Sequence, residues 1–264
     1  MTDTFRKKME YELGLLGISL SDQQLEQFYT YYQMLVEKNK VMNLTAITEE
    51  GDVVSKHFCD SLSLFRVIAK GEERAKETEN KKTEGRISYS PEMMKGQSLI
   101  DVGTGAGFPG IPLKIAFPGL RLTLLDSLNK RVKFLEEVCQ ALKLEDVTFV
   151  HGRAEDIGRK AEHREQYDWC VSRAVANLAS LSEYDMPFVK IGGCFVPYKS
   201  GEIEEELKNA EKAIHLLGGK ILRVEKFQLP GTDVSRSLVV IKKIKATSKK
   251  YPRKAGMPTK EPLS

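Results

Sequence analysis

The sequence predicts an α/β protein, a mainly parallel, doubly wound sheet with an N-terminal helical extension. Three observations carry this. Strand-like and helix-like segments alternate from residue 98 to residue 244, the pattern left by crossover connections in a parallel sheet. A glycine-rich run, DVGTGAGFPG at 101–110, stands between the first strand and the first helix of that region. The first 69 residues carry helical periodicity.

The N-terminal part begins its second helix at Ser21, where SDQQ reads as a capping box. Leu25, Phe28, Tyr32, Leu35 and Val36 follow at helical spacing. The pattern breaks at MNLT (42–45) and resumes with Val53, Val54, Phe58, Leu62, Phe65 and Ile68. We therefore expect a helical cap over 1–69. Residues 70–97 open with a run of Lys, Glu, Arg, Thr, Asn and Gly that buries too little apolar surface to offset ordering entropy, so a polar flexible insertion is expected there.

From 98 onward, the short apolar run 98–102 predicts a strand, followed by the glycine loop and a helix to about residue 117. A strand over 121–125 ends at Asp126. A helix over 130–142 places Val132, Leu135, Val138 and Leu142 on one face. Strands are expected at 147–150, 167–172 and 194–198, with helices starting at Ala154 and spanning 178–189 and 202–217. Two closing strands, 220–228 and 237–244, have only LPGT between them, which predicts an antiparallel addition at one edge. The cofactor-type domain is thus expected over 98–245, with a tail over 246–264.

Composition narrows the class. Of 264 residues, 41% are hydrophobic and 30% charged, so the chain can bury a real core. No apolar run approaches the roughly 20 residues that span a bilayer, and residues 1–10 hold no secretory apolar region. A cytoplasmic protein without a membrane partner is expected. Cys59, Cys139, Cys170 and Cys194 are scattered without a CxxC, which points to reduced thiols and no metal site. Residues 242–264 hold eight Lys/Arg and one Glu, a net charge of +7, so the other 241 residues carry −3 of the total +4. That asymmetry reads as a phosphate-seeking arm.

The glycine loop is the informative motif. Ligands of such sheets sit beyond the carboxyl ends of the strands, where glycines let the backbone approach closely. Asp126 ends the next strand about 20 residues on, where a carboxylate accepts both hydroxyls of a ribose. Residues 105–110 satisfy G-x-G-x-x-G, so a dinucleotide loop has to be weighed. Two features disfavour it: the motif starts too far past the strand end, and Pro109 and Pro112 remove backbone donors that a pyrophosphate needs. S-adenosylmethionine carries a sulfonium and an amino acid but no phosphate, and it suits this loop.

DVGTGAGFPG (101–110) and LLDSLNKRVKFL (124–135) closely resemble the bacterial small-subunit (16S) rRNA guanine-N7 methyltransferase G family, also called glucose-inhibited division protein B. MNLT (42–45), KHFCDS (56–61), VSRA (171–174), SLVVI (237–241) and KKYPRK (249–254) are similar to further blocks of that family. The resemblance covers residues 25–68 and 98–255 and departs over 70–97, where the family has a much shorter connection. It implies a seven-stranded class I (Rossmann-like) methyltransferase fold, S-adenosyl-L-methionine as cofactor, and methylation of N7 of one guanosine. The implied partner is 16S rRNA or the small ribosomal subunit, and the chain is expected to be a monomer. By position, the resemblance assigns Gly103, Phe108, Ala154, Glu155 and Arg173 to the cofactor; the loop argument adds Gly105 and Asp126.

Guanine N7 attacks through a lone pair and has no proton to lose, so no catalytic acid or base is expected; alignment carries the reaction. Arginine suits the guanine edge, but N7 must stay free, leaving O6 and phosphate as targets. Arg153, Lys199 and Arg236 are the RNA candidates beside Arg173. His57 and Asp60 share a helix face and are read as docking that helix on the core rather than as an acid/base pair. Tyr29, Tyr31 and Tyr32 are read as core and ordinary surface rather than as a base-stacking platform. Competing functions are a methyltransferase for a protein or small molecule on the same fold, a non-enzymatic rRNA assembly factor, and a nicotinamide dehydrogenase.

Overall fold

The computed structural model of the chain describes residues 1–78, 88–173 and 175–263. Three N-terminal helical segments come first. Helix α1 spans Asp3–Leu16 and α2 spans Asp22–Met42. The capping box forms: Ser21 Oγ accepts from Gln24 N, and Gln24 Oε1 accepts from Ser21 N at 2.9 Å. Helix α3 runs Glu50–Val53, passes through a π-helical stretch Val54–Cys59 and continues over Asp60–Leu62. Such wide turns recur at functional sites, and this one carries His57.

Helix α4 is Phe65–Thr78. It reaches into the stretch expected to be a flexible insertion. Glu, Lys, Arg and Ala are good helix formers, and a charge-rich run beginning at a packed helix continues it. Residues 79–87 of that expectation lie outside the described residues. Residues beyond them are anchored, since Met94 is fully buried and Tyr89 donates its hydroxyl to Ala116 O.

The sheet follows: β1 Ser98–Val102, α5 Gly110–Ala116, β2 Arg121–Asp126, α6 Asn129–Ala141, β3 Val147–His151, α7 Ala154–Ile157, β4 Tyr167–Arg173, α8 Leu178–Asp185, β5 Val189–Ser200, α9 Glu204–Leu216, β6 Gly219–Gln228 and β7 Ser235–Lys243, with a last short helix, α10, over Met257–Lys260. The strand order is β3-β2-β1-β4-β5-β7-β6. β7 pairs antiparallel with both β5 and β6, and the other pairings are parallel. The expected antiparallel addition is therefore present, with β7 inserted inside β6.

Alternate strand residues enter two different cores. Leu99, Leu122, Leu124, Val171, Val196 and Leu238 pack with the N-terminal helices, α5 and α6. Ile100, Leu125, Cys170, Phe195, Val239 and Ile241 pack with α8 and α9. Burial on both faces is why these strands read as continuous apolar runs. Among the described residues no helix is long and apolar enough to cross a membrane.

The basic tail is docked along part of its length, with Lys249, Lys250, Lys254 and Lys260 exposed on it. Tyr251 and Pro258 are buried. Arg253 forms a forked ion pair with the fully buried Glu183, with Nη2 2.7 Å from Oε2 and Nε 3.0 Å from Oε1. The arginine's charge is spent on the protein because a buried carboxylate is costly without a hydrogen-bonded partner.

Candidate active site

The strand order reverses between β1 and β4, and the glycine loop leaves β1 at that switch point. Two carboxylates shape the loop. Asp101 Oδ2 accepts from Thr104 Oγ1 at 2.7 Å and from Gly110 N at 2.8 Å. Asp126 Oδ2 accepts from Gly105 N at 2.9 Å and Oδ1 from Leu128 N at 2.8 Å. Gly103 N and Thr104 N both donate to Leu125 O, which locks the loop onto the end of β2. Gly107 has φ +104°, and a Cβ there would lie 2.6 Å from both Tyr31 Oη and Ile111 Cδ1. Tyr31 is fully buried and donates to Ala106 O at 2.6 Å, so α2 braces the loop from beneath.

Two cavities share Gly103. One, of about 330 Å³, is lined by Asp126, Arg153, Ala154, Glu155 and Tyr184 among others. The second, of about 530 Å³, is lined by Gly105, Phe108, Arg173, Lys199 and Arg236, together with His57 and Asp60. All ten residues singled out in the sequence thus lie around one loop, the seven cofactor candidates and the three RNA candidates. A larger cavity of about 980 Å³ near Asn177 is lined by Glu202, Glu204, Glu205 and Glu206, which would repel a phosphate chain, and it does not include the glycine loop.

Several of these side chains are already engaged. Arg173 Nη1 lies 2.8 Å from Asp60 Oδ2, its Nη2 is 3.2 Å from His57 Nδ1, and its guanidinium sits 5.1 Å from the Phe108 ring centroid. His57 stacks on Phe108 at 4.5 Å and 16°. Asp60, 1% exposed, takes a second arginine through Arg236 Nε at 3.1 Å. Lys199 Nζ donates to Ala176 O at 2.7 Å and pairs with Glu206. Glu155 Oε1 accepts from the backbone N–H of Gly256 at 2.9 Å, while Arg153 is exposed at the start of α7.

Burial, reinforced by the nearby Arg173 charge, lowers the His57 pKa to about 3, so the imidazole is neutral and weakly basic. Burial pushes the Asp101 carboxyl up to about 7 against the hydrogen bonds from Thr104 and Gly110. No group of three or more His, Cys, Asp or Glu suited to a metal occurs among the described residues.

Sequence reasoning set His57 and Asp60 aside as docking residues. They do join α3 to the sheet, but they also line the second cavity; their i, i+3 spacing was the available signal. Thr45, whose Oγ1 is 2.8 Å from His57 Nε2, and the tail residues Gly256 and Thr259 were missed as cavity walls. The MNLT block pointed to the first; nothing local points to the others.

A seven-stranded sheet in this order, with β7 antiparallel between β5 and β6 and a glycine loop at the β1 switch point, defines a class I, S-adenosylmethionine-dependent methyltransferase. The family described as rRNA small subunit methyltransferase G matches residues 24–78 and 74–239. A ribosomal RNA small subunit methyltransferase G of Alkaliphilus metalliredigens is 52% identical over 248 residues, covering 94% of each chain. Its counterpart in Lachnoclostridium phytofermentans is 51% identical over 251 residues, 95% of this chain and 94% of that one. That of Brevibacillus brevis is 50% identical over 251 residues, 95% and 96% of the two chains. The chain belongs to the rRNA small subunit methyltransferase G family.

Proposed function

We propose that this chain transfers the methyl group of S-adenosylmethionine to N7 of a guanosine in 16S rRNA of the small ribosomal subunit. The observation that carries the reading is the character of the second cavity: it is basic, and no group in it is poised as a general base. Asp60 is shared by two arginines, His57 is held neutral with a pKa of about 3, and Asp101 lies fully buried behind the loop. An amine, hydroxyl or carbon nucleophile that must lose a proton would find no acceptor. A guanine N7 lone pair needs none.

The residues present fit the cofactor. Asp126 Oδ1 holds the Leu128 N–H, and Oδ2 holds the Gly105 N–H with Arg131 Nη1 at 3.5 Å, which leaves the carboxylate at the end of β2 where it would accept from a ribose hydroxyl. Ala154 and Glu155 border the same cavity beyond β3 and would hold the adenine end. Gly103, Gly105 and Phe108 would border the amino-acid end, with Arg173 fixed above Phe108. Bound there, S-adenosylmethionine supplies a methyl group on a sulfonium, an electrophile for an in-line lone pair. The protein's own part is alignment and water exclusion. Lys199, Arg236 and the exposed Arg153 ring the mouth, where they would meet phosphates and guanine O6 while leaving N7 free.

The test uses radiolabelled S-adenosylmethionine and small subunits from cells lacking this gene, followed by digestion of the RNA to nucleosides. Label in 7-methylguanosine, lost with Gly103→Asp, is the expected result. Label in protein, or cofactor binding with no labelled RNA, would overturn the assignment.

A further inference from the structure

The basic C-terminal segment lies against the small cavity rather than out in solvent. Gly256 and Thr259 line that cavity together with Asp126 and Glu155. Four contacts hold the segment there. The Gly256 N–H is accepted by Glu155 Oε1, and the Pro258 carbonyl accepts from Ser180 Oγ at 2.6 Å. Tyr184, itself a cavity residue, hydrogen-bonds through its hydroxyl to Thr259 Oγ1. Arg253 clasps Glu183, which also accepts the Arg253 backbone N–H at 2.7 Å. Upstream, Arg164 donates to the carbonyls of Thr247 and Tyr251 at 2.7 and 2.9 Å.

We propose that residues 247–260 form the outer wall of the adenosyl half of the cofactor site, so that docking of this segment and cofactor binding favour each other. The inference rests on the S-adenosylmethionine reading of the two cavities. One carboxylate ties the two events together. Glu155 stands where the adenine end would lie, one of its oxygens is fixed by the tail's Gly256, and the other has no partner among the described residues. A docked tail therefore orients the carboxylate that faces the ligand, and by linkage a bound ligand holds the tail down. The opposing view is that the segment is an RNA arm whose contact with the cavity is incidental.

Two measurements on the full chain, without RNA, decide between them. Thr259 is exposed and gives the segment only its hydroxyl contact with Tyr184, so Thr259→Trp fills the cavity mouth while Thr259→Val loses that contact alone. Calorimetric titration is expected to show S-adenosylmethionine binding weakened at least about 10-fold in Thr259→Trp, within the range of coupled sites, with an unliganded melting temperature like that of Thr259→Val. In wild-type protein, saturating S-adenosylmethionine is expected to slow tryptic cleavage after Lys250, Arg253 and Lys254 relative to cleavage after Arg6 and Lys7. Unchanged affinity in Thr259→Trp, or cleavage of the tail indifferent to the cofactor, overturns the proposal while leaving the cofactor reading intact. Wild-type protein that binds no S-adenosylmethionine overturns both.

Discussion

Replacing Asp60 with alanine tests whether the second cavity is organised as described. Asp60 is 1% exposed and its two oxygens take Arg173 at 2.8 Å and Arg236 at 3.1 Å. Removing one partner of a buried ion pair costs about 3–5 kcal/mol, because the remaining charge is left uncompensated. Here the survivors are arginines whose side chains are 15% and 27% exposed, so they retain some access to water, and Arg173 keeps the Lys56 carbonyl and the Phe108 ring. We therefore expect the low end, about 3 kcal/mol, equivalent to a fall in Tm of about 6–12 °C for a chain of this size. Arg236→Ala alone leaves Asp60 paired with Arg173 and should cost about 1 kcal/mol. The two changes share a partner, so a double-mutant cycle should show a coupling of about 1–2 kcal/mol rather than additivity. The assay is thermal and urea unfolding of the four proteins, with methyl transfer to small subunits measured at saturating cofactor. In Asp60→Ala, transfer per unit of RNA should fall about 10-fold, while S-adenosylmethionine affinity falls less, since of the two arginines only Arg173 borders the cofactor's amino-acid end and it keeps the Lys56 carbonyl and the Phe108 ring. A loss below about 0.5 kcal/mol, or strict additivity, would refute the claim that one buried carboxylate positions both arginines.

The other expectations concern the loop and its brace. Asp101 is neutral in the folded protein up to about pH 7 but ionises near 3.8 when unfolded, so the native state binds more protons between those values and stability falls as pH rises through that window. The full span is about 4 kcal/mol at about 1.4 kcal/mol per unit, and Asp101→Asn, which keeps one acceptor oxygen for Thr104 and Gly110, should remove that slope from urea unfolding measured at pH 4.5 to 8. Gly107→Ala places a methyl 2.6 Å from Tyr31 Oη at φ +104° and should cost about 2–3 kcal/mol and abolish cofactor binding by calorimetry. Tyr31→Phe loses one buried hydrogen bond and strands the Ala106 carbonyl, an expected loss of about 1–2 kcal/mol in urea with the loop still able to bind cofactor. Arg173→Lys should lose methyl transfer while folding, because a single ammonium cannot hold Asp60 and cover Phe108 at once.

What the sequence made legible follows the range of the interactions involved. Strands such as 98–102 and the face Val132, Leu135 and Val138 of α6, continued by Leu142 just past its end, are stated by local periodicity, and all four residues are buried. The glycine loop and Asp126 are also close in sequence, and the loop's hydrogen bonds to Asp126 span about 20 residues. Helix α4 was obscured because its second half is charged; composition argued for disorder, and helix propensity, which pointed the other way, was the better guide. The docking of the tail is illegible in the sequence for a different reason. Net charge counts Arg253 as free, whereas its partner Glu183 lies 70 residues earlier inside α8, where nothing in the local sequence distinguishes a buried glutamate from a solvated one. The contacts of Asp60 span 113 and 176 residues, so the His57 and Asp60 spacing suggested a shared face without saying what it faces.

The partnering of charges around the loop bears directly on the chemistry. Four carboxylates stand near the two cavities, and each has a fixed task. Asp60 holds arginines, Asp101 and Asp126 hold the loop backbone, and Glu155 holds the tail. In the second cavity Asp60 is outnumbered by Lys56, Arg131, Arg173, Lys199 and Arg236, so even with Lys199 paired to Glu206 a polyanion meets a net attractive field. The same arrangement denies the cavity a proton acceptor: Asp60 is held by two arginines, and Asp101, whose carboxyl burial raises to about 7, is fully buried behind the loop and does not line the cavity. A nucleophile that arrives with its lone pair already free is the one for which this lack has no cost. The arrangement therefore selects by what it omits: nucleophiles that need deprotonation are left unactivated, while a phosphate-bearing purine with an exposed N7 finds charge, alignment and a shielded path to the loop.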